Sequence, residues 1–155
     1  MSEKLASNHI IKIGIVCEDV EATAKRYQEI FETQAPEPSA APAPSTCERY
    51  KEYKGVRYDN VPLKVTNIYV KPIWFELIQP ADDTPSPWKD HLDKYGTSVC
   101  FTSVYIEGFE QQIDLMADKG YPVLFQEEKG FERYAYFDTM EKLGLLLEIK
   151  ERIPR

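Results

Sequence analysis

Two stretches of the chain, KIGIVCEDVEATAKRYQEIF from Lys12 to Phe31 and SVCFTSVYIEGFEQQIDLMA from Ser98 to Ala117, share one pattern, and that pattern decides the fold. Each opens with a short run of β-formers and continues into apolar residues at helical spacing, which in the first are Val20, Ala24, Tyr27, Ile30 and Phe31. Laid together they set Lys12 on Ser98, Ile15 on Phe101 and Val20 on Ile106. A strand followed by a helix therefore occurs twice. Asp19 is the predicted N-cap of the first helix, and Gly120 closes the second.

Three strand-like pieces follow each helix. After the first come CERYKEYKG, PLKVTNIYV and IWFELIQ, with turn signals at Gly55, Asp59-Asn60 and Lys71-Pro72; after the second come YPVLFQEE, ERYAYFDT and LGLLLEIKE. Overlaying WFELI on LLEIK puts Glu76 on Glu148. The order β-α-β-β-β has occurred twice, an internal duplication. It predicts an α+β fold of two βαβββ modules curled into an open, cleft-bearing β-barrel with the helices outside. The expected organisation is a single domain over 1–155, with module one at about 10–79, a connector at 80–96 and module two at about 97–151. The connector carries a short helix from Pro87 to just before Gly96. In module one QAPEPSAAPAPST, with Pro36, Pro38, Pro42 and Pro44, excludes helix and central strand and reads as an extended, mobile loop.

The 155 residues suffice for a hydrophobic core without disulfides or structural metal. A net charge of -7, with no run of Lys or Arg, argues against a nucleic-acid partner. MSEKLASNH has no apolar run and no later stretch is long enough to span a bilayer, so no membrane partner and a cytoplasmic location are expected. Cys17, Cys47 and Cys100 form no C-x-x-C pair, which fits a reducing compartment. Ten tyrosines and two tryptophans can serve a core or line a cavity for a small molecule.

Strand parity separates the side chains into two faces. Ile11, Ile13 and Ile15, Ile73, Phe75 and Leu77, Val99 and Phe101, and Leu145, Leu147 and Ile149 form the apolar sets expected under the helices. The opposite sets are Lys12 and Gly14, Trp74 and Glu76, Ser98 and Cys100, and Leu146 and Glu148. Two glutamates and a lysine in a concave surface need one another or water, so Lys12, Glu76 and Glu148 are expected to lie together as one cluster.

The segments IKIGIVCEDVEATAKRYQEIF, FELIQP with SPWKDHLDKYG, and DKGYPVLF, RYAYFD and LGLLLEI resemble, in this order, the vicinal oxygen chelate superfamily, and within it the methylmalonyl-CoA epimerase and glyoxalase I-like branch. The resemblance runs from Ile10 to Glu151. It implies a divalent metal held by a His or Gln of the first strand, a Glu or Gln of the fourth, a His of the fifth and a Glu of the eighth. Glu76 and Glu148 match the carboxylate positions, whereas Lys12 and Ser98 stand where imidazoles are expected. An ammonium does not coordinate and a hydroxyl suits zinc, nickel or cobalt poorly, so no complete metal site and no cofactor are expected, beyond weak magnesium or manganese at Glu76 and Glu148. Restoring imidazoles at 12 and 98 should then create a metal site. His9 projects to the other face of its strand, His91 sits in the connector helix facing solvent, and Cys100 lacks a histidine to activate it as a nucleophile.

The resemblance also implies a homodimer and one of two activities. In an isomerase or lyase acting on a small carbonyl compound or an acyl thioester, Glu76 and Glu148 are base and acid, in either order, and Lys12 supplies positive charge to an enolate. In a non-catalytic binder of the bleomycin-resistance type, Trp74, Tyr69, Tyr134 and Tyr136 stack on an aromatic ligand, with Ser98 and Cys100 beside them. A domain with a purely interaction role stands third.

Overall fold

The computed structural model describes residues 4–35, 39–40 and 49–152. Pro36, Pro38, Pro42 and Pro44, on which the reading of a mobile loop rested, and Cys47 lie outside the described residues, whereas Ser39 and Ala40 of the same stretch are described. The elements are β1 (Ile10–Val16), α1 (Val20–Ile30), β2 (Ser39–Ala40), β3 (Tyr50–Tyr53), β4 (Val56–Tyr58), β5 (Leu63–Val70), β6 (Ile73–Pro80), α2 (Pro87–Tyr95), β7 (Ser98–Tyr105), α3 (Phe109–Asp118), β8 (Val123–Glu128), β9 (Glu132–Phe137), α4 (Met140–Leu143) and β10 (Leu146–Arg152). The fold is α+β, as the duplicated pattern predicts. Two compact units divide the chain. One comprises Lys12–Ala43 and Val61–Phe101 and holds Lys12 and Glu76; the other comprises Met1–Ile11, Pro44–Asn60 and Thr102–Arg155 and holds Glu148.

In the Lys12 unit, β6 pairs in parallel with β1 and antiparallel with β5, whose other edge carries β2. The register sets Lys12 beside Trp74, Gly14 beside Glu76, and Asn67 across from Glu76. Ile15, Cys17, Val20, Ala24, Ile68 and Leu77 form the core, with Ile13, Tyr27 and Phe75 packed against it. This is the odd-numbered face of β1 and β6, the face predicted to meet the helix. Asp19 caps α1 by accepting from the amide of Ala22 at 3.0 Å. Ser86 does the same for α2 through the amide of Lys89, with Pro87 in the first turn, where its missing N–H costs nothing.

In the Glu148 unit, β10 pairs with β9, β9 with β8, β8 with β3 and β3 with β4, all antiparallel. The hairpin β3–β4 belongs by sequence to the first repeat yet extends the edge of the second repeat's strands. Its two-residue turn has Lys54 at φ 51 and Gly55 at φ 78, the left-handed pair that matches the twist of a tight hairpin. Val104, Ile106, Phe109, Met116, Ala135, Phe137 and Ile149 make this unit's core, joined by Ile113 and Leu147. Helix α3 starts at Gly108, which has no side chain to cap it. The amide of Phe109 instead donates to Glu151 Oε2 at 2.9 Å, and Arg133 clamps that carboxylate through Nε at 3.0 Å and Nη2 at 2.8 Å.

Candidate functional site

On the face of the Lys12 unit opposite its core, Lys12 Nζ donates to Glu76 Oε2 at 2.8 Å, with side-chain exposures of 13% and 17%. Parallel pairing of β1 and β6 sets Lys12 beside Trp74 and Gly14 beside Glu76, so the long lysine side chain reaches Glu76 along the diagonal of the ladder. Trp74 and Tyr69 face each other across the β5–β6 ladder with ring centroids 5.0 Å apart, and both remain exposed. A partly dehydrated ion pair therefore sits beside an accessible aromatic pair, on neighbouring positions of one sheet face.

Glu148 belongs to the other unit and is 2% exposed. It accepts a very short hydrogen bond from the hydroxyl of Ser103 and lies opposite Tyr136 in the β9–β10 ladder. Tyr134 and Tyr136 are buried, in ring contact with each other and with Phe125, and the Tyr134 hydroxyl donates to Glu127 Oε1 at 2.7 Å. They are packing residues of this unit rather than an exposed stacking surface, unlike Tyr69 and Trp74.

Strand β7 runs in the opposite phase to the one predicted. Ser98 Oγ lies 2.8 Å from His91 Nε2 on α2 and donates to the carbonyl of Gly96 at 3.0 Å, while Cys100 is fully buried. It is Phe101 that shares the face of Lys12 and Gly14, since a Cβ on Gly14 would collide with its ring, and Ser103 that shares the face of Glu148. The prediction for Ser98 and Cys100 as ligand-lining residues is corrected accordingly. Both sets of SVCFTSVY mix small and apolar residues, so alternation in that strand carries no facing signal, and the overlay of the repeats was one residue out. His91 is likewise buried rather than solvent-facing, and burial lowers its pKa, with a backbone hydrogen bond at Val99 acting the other way. His9 is exposed. Cys17, also buried, has its thiol pushed up in pKa by burial, against smaller effects from Thr23 and Ile78.

These donors do not fit an imidazole-binding transition metal. An ammonium holds Glu76, the hydroxyl of Ser98 is turned to His91, and the neighbouring Val99, exposed in the corrected phase, offers no donor atom. Among the described residues no three His, Cys, Asp or Glu side chains are grouped to hold a metal.

Residues 11–137 match the Glyoxalase/Bleomycin resistance protein/Dioxygenase superfamily. The chain belongs to that superfamily. The fold is shared with methylmalonyl-CoA epimerase from Mycobacterium tuberculosis (14% identity, TM-score 0.69, covering 99% of this chain and 94% of that one). It is shared also with a methylmalonyl-CoA epimerase solved with methylmalonyl-CoA and ammonium (18%, 0.65, 96% of each chain) and with a hypothetical protein from Bacillus halodurans (15%, 0.66, 96% and 97%). No curated protein matches the sequence. Among the described residues no helix is long and apolar enough to cross a membrane. Sequence reasoning missed Ser103, Phe101 and Asn67. The adjacency of Asn67 to Glu76 was within reach once the turn at Lys71-Pro72 set the β5–β6 register.

Proposed function

We propose that this superfamily member is an isomerase- or lyase-type enzyme that moves a proton next to the carbonyl of a small carbonyl compound or acyl thioester without a transition metal. The observation that carries the reading is the 2.8 Å pair of Lys12 and Glu76, partly withdrawn from water beside Trp74 and Tyr69. Glu76 as a carboxylate takes the proton from the carbon next to the carbonyl, the electron pair moves onto the carbonyl oxygen, and the Lys12 ammonium donates a hydrogen bond to that oxygen. Delivery of a solvent proton to the opposite face of that carbon completes an epimerisation; collapse of the enolate with departure of a leaving group from the neighbouring carbon completes a lyase step. The homodimer and the cytoplasmic location belong to the same reading.

The first compound to test is methylmalonyl-CoA, the ligand named with one structural neighbour, followed by simpler acyl thioesters and 2-oxo acids. Turnover lost in Glu76→Gln and retained after exhaustive chelation supports the reading. A second reading, a binder of flat aromatic molecules, is favoured by the exposure of Trp74 and Tyr69. Tight binding of an aromatic compound that Trp74→Ala abolishes and Glu76→Gln leaves intact, with no turnover of any carbonyl compound, selects that reading instead.

A further inference from the structure

The open end of the hairpin β3–β4, where β3 begins and β4 finishes, borders a pocket of about 260 Å³ against the end of β8. Arg49, Lys51 and Arg57 line it with Tyr50, Tyr58, Asp59, Glu127 and Glu128. We propose that this pocket is a second binding site, separate from the Lys12–Glu76 pair, for the oxyanion group of a small molecule, a carboxylate or a phosphate. Formal charge in the lining is balanced, three cations against three carboxylates, so the sign of the ligand follows from which groups already have partners. Glu127 accepts from the buried hydroxyl of Tyr134 at 2.7 Å, Glu128 Oε2 accepts more weakly from the amide of Gly130 at 3.4 Å, and Asp59 is exposed, so water serves it. The donors fare worse. Arg49 Nε is buried with no acceptor. Lys51 is 9% exposed, and its ammonium reaches the neutral amide oxygen of Asn60 at a long 3.4 Å.

A buried N–H without an acceptor and a buried ammonium on a weak one both gain from an incoming oxygen. Arg57 lies over the Tyr50 ring at 4.3 Å with its Nε 3.5 Å from the carboxylate of Glu52, and these two loose contacts hold the guanidinium at the mouth with its Nη groups to offer a ligand. Tyr50 is itself fixed by Gln126 at 2.6 Å, and burial above all raises the pKa of its phenol, so it stays neutral and does not repel an anion. The balanced lining sets the charge of the ligand group: the carboxylates disfavour multiply charged anions, so a single carboxylate or a singly charged phosphate fits best.

The test is an NMR titration of the full chain with acetate and, separately, inorganic phosphate, following the Arg49 Nε–H resonance together with the backbone amides of Tyr50 and Glu128, which every variant keeps, with chloride at matched ionic strength as control. A saturable shift with acetate alone assigns a carboxylate ligand, and one with phosphate alone a phosphoryl ligand. Affinity should fall about tenfold in Arg49→Gln and in Lys51→Met. Because Lys51 is buried, Arg57→Gln at the exposed rim serves as the variant that keeps the fold, and it too should bind more weakly. A response that does not saturate, that chloride reproduces, or that Arg57→Gln and Arg49→Gln leave unchanged overturns the proposal.

Discussion

Lys12 and Glu76 are costly to separate because each is partly withdrawn from water, so removing one partner leaves the other charge poorly compensated. Lys12→Met and Glu76→Gln should each destabilise the protein by about 1–3 kcal/mol. The double variant Lys12→Met with Glu76→Leu should recover part of that loss, and denaturant unfolding of all four proteins measures the coupling. Ser98 gives a second prediction at this scale. With its hydroxyl against buried His91, Ser98→His forces a second imidazole into packed space. Zinc titration should therefore show no stronger binding for Lys12→His with Ser98→His than for Lys12→His alone, contrary to what the predicted strand phase implied. His91 itself reports on pH. Burial places its folded pKa below the unfolded value of about 6.5, so the folded state binds fewer protons than the unfolded one between those two values. Its contribution to stability is complete above about pH 6.5 and is lost as pH falls through the folded pKa. The melting temperature should decline across that window less steeply in His91→Gln.

Helix α3 shows how an element can depend on a residue remote in sequence. Gly108 supplies no cap, and Glu151 from β10 replaces it while Arg133 holds the carboxylate in place. Glu151→Ala should cost about 1–2 kcal/mol by chemical denaturation, in the range of a lost N-cap, whereas Glu110→Ala, exposed on the same helix, should cost far less. No local pattern announces this cap, because a Gly at the helix start reads as an unsupported terminus. By contrast, the starts of α1 and α2 were legible in Asp19 and Pro87, whose effects act within one turn. The faces of β1, β6 and β10 were legible for a similar reason: Ile13 and Ile15 alternate with Lys12 and Gly14, and Leu147 and Ile149 alternate with Glu148. In β7 the faces were not legible, since Val99, Phe101 and Val104 are apolar on both sides. What turned Phe101 toward Gly14 is the space that a missing Cβ leaves in another strand, which no reading of β7 alone contains.

At the scale of the whole molecule, duplication explains why two glutamates stand at matching strand positions, and superfamily membership explains the fold around them. Neither supplies the chemistry, since a fold hosts many functions and the site must carry the argument. The sequence showed that two of the four positions expected to bind metal had changed, and the geometry adds that Lys12 has taken hold of Glu76. The central claim is that this ammonium–carboxylate pair does acid–base work next to a carbonyl. Solvent proton exchange reads it most directly: the chain is incubated in deuterium oxide with methylmalonyl-CoA and with simpler acyl thioesters, in the presence of a chelator, and deuterium at the carbon next to the carbonyl is followed by NMR. The account predicts enzyme-dependent incorporation into at least one of these compounds, reduced by about 10²–10⁴-fold in Glu76→Gln and by about 10²–10³-fold in Lys12→Met. Incorporation that disappears with the chelator, or that persists unchanged in Glu76→Gln, would contradict it.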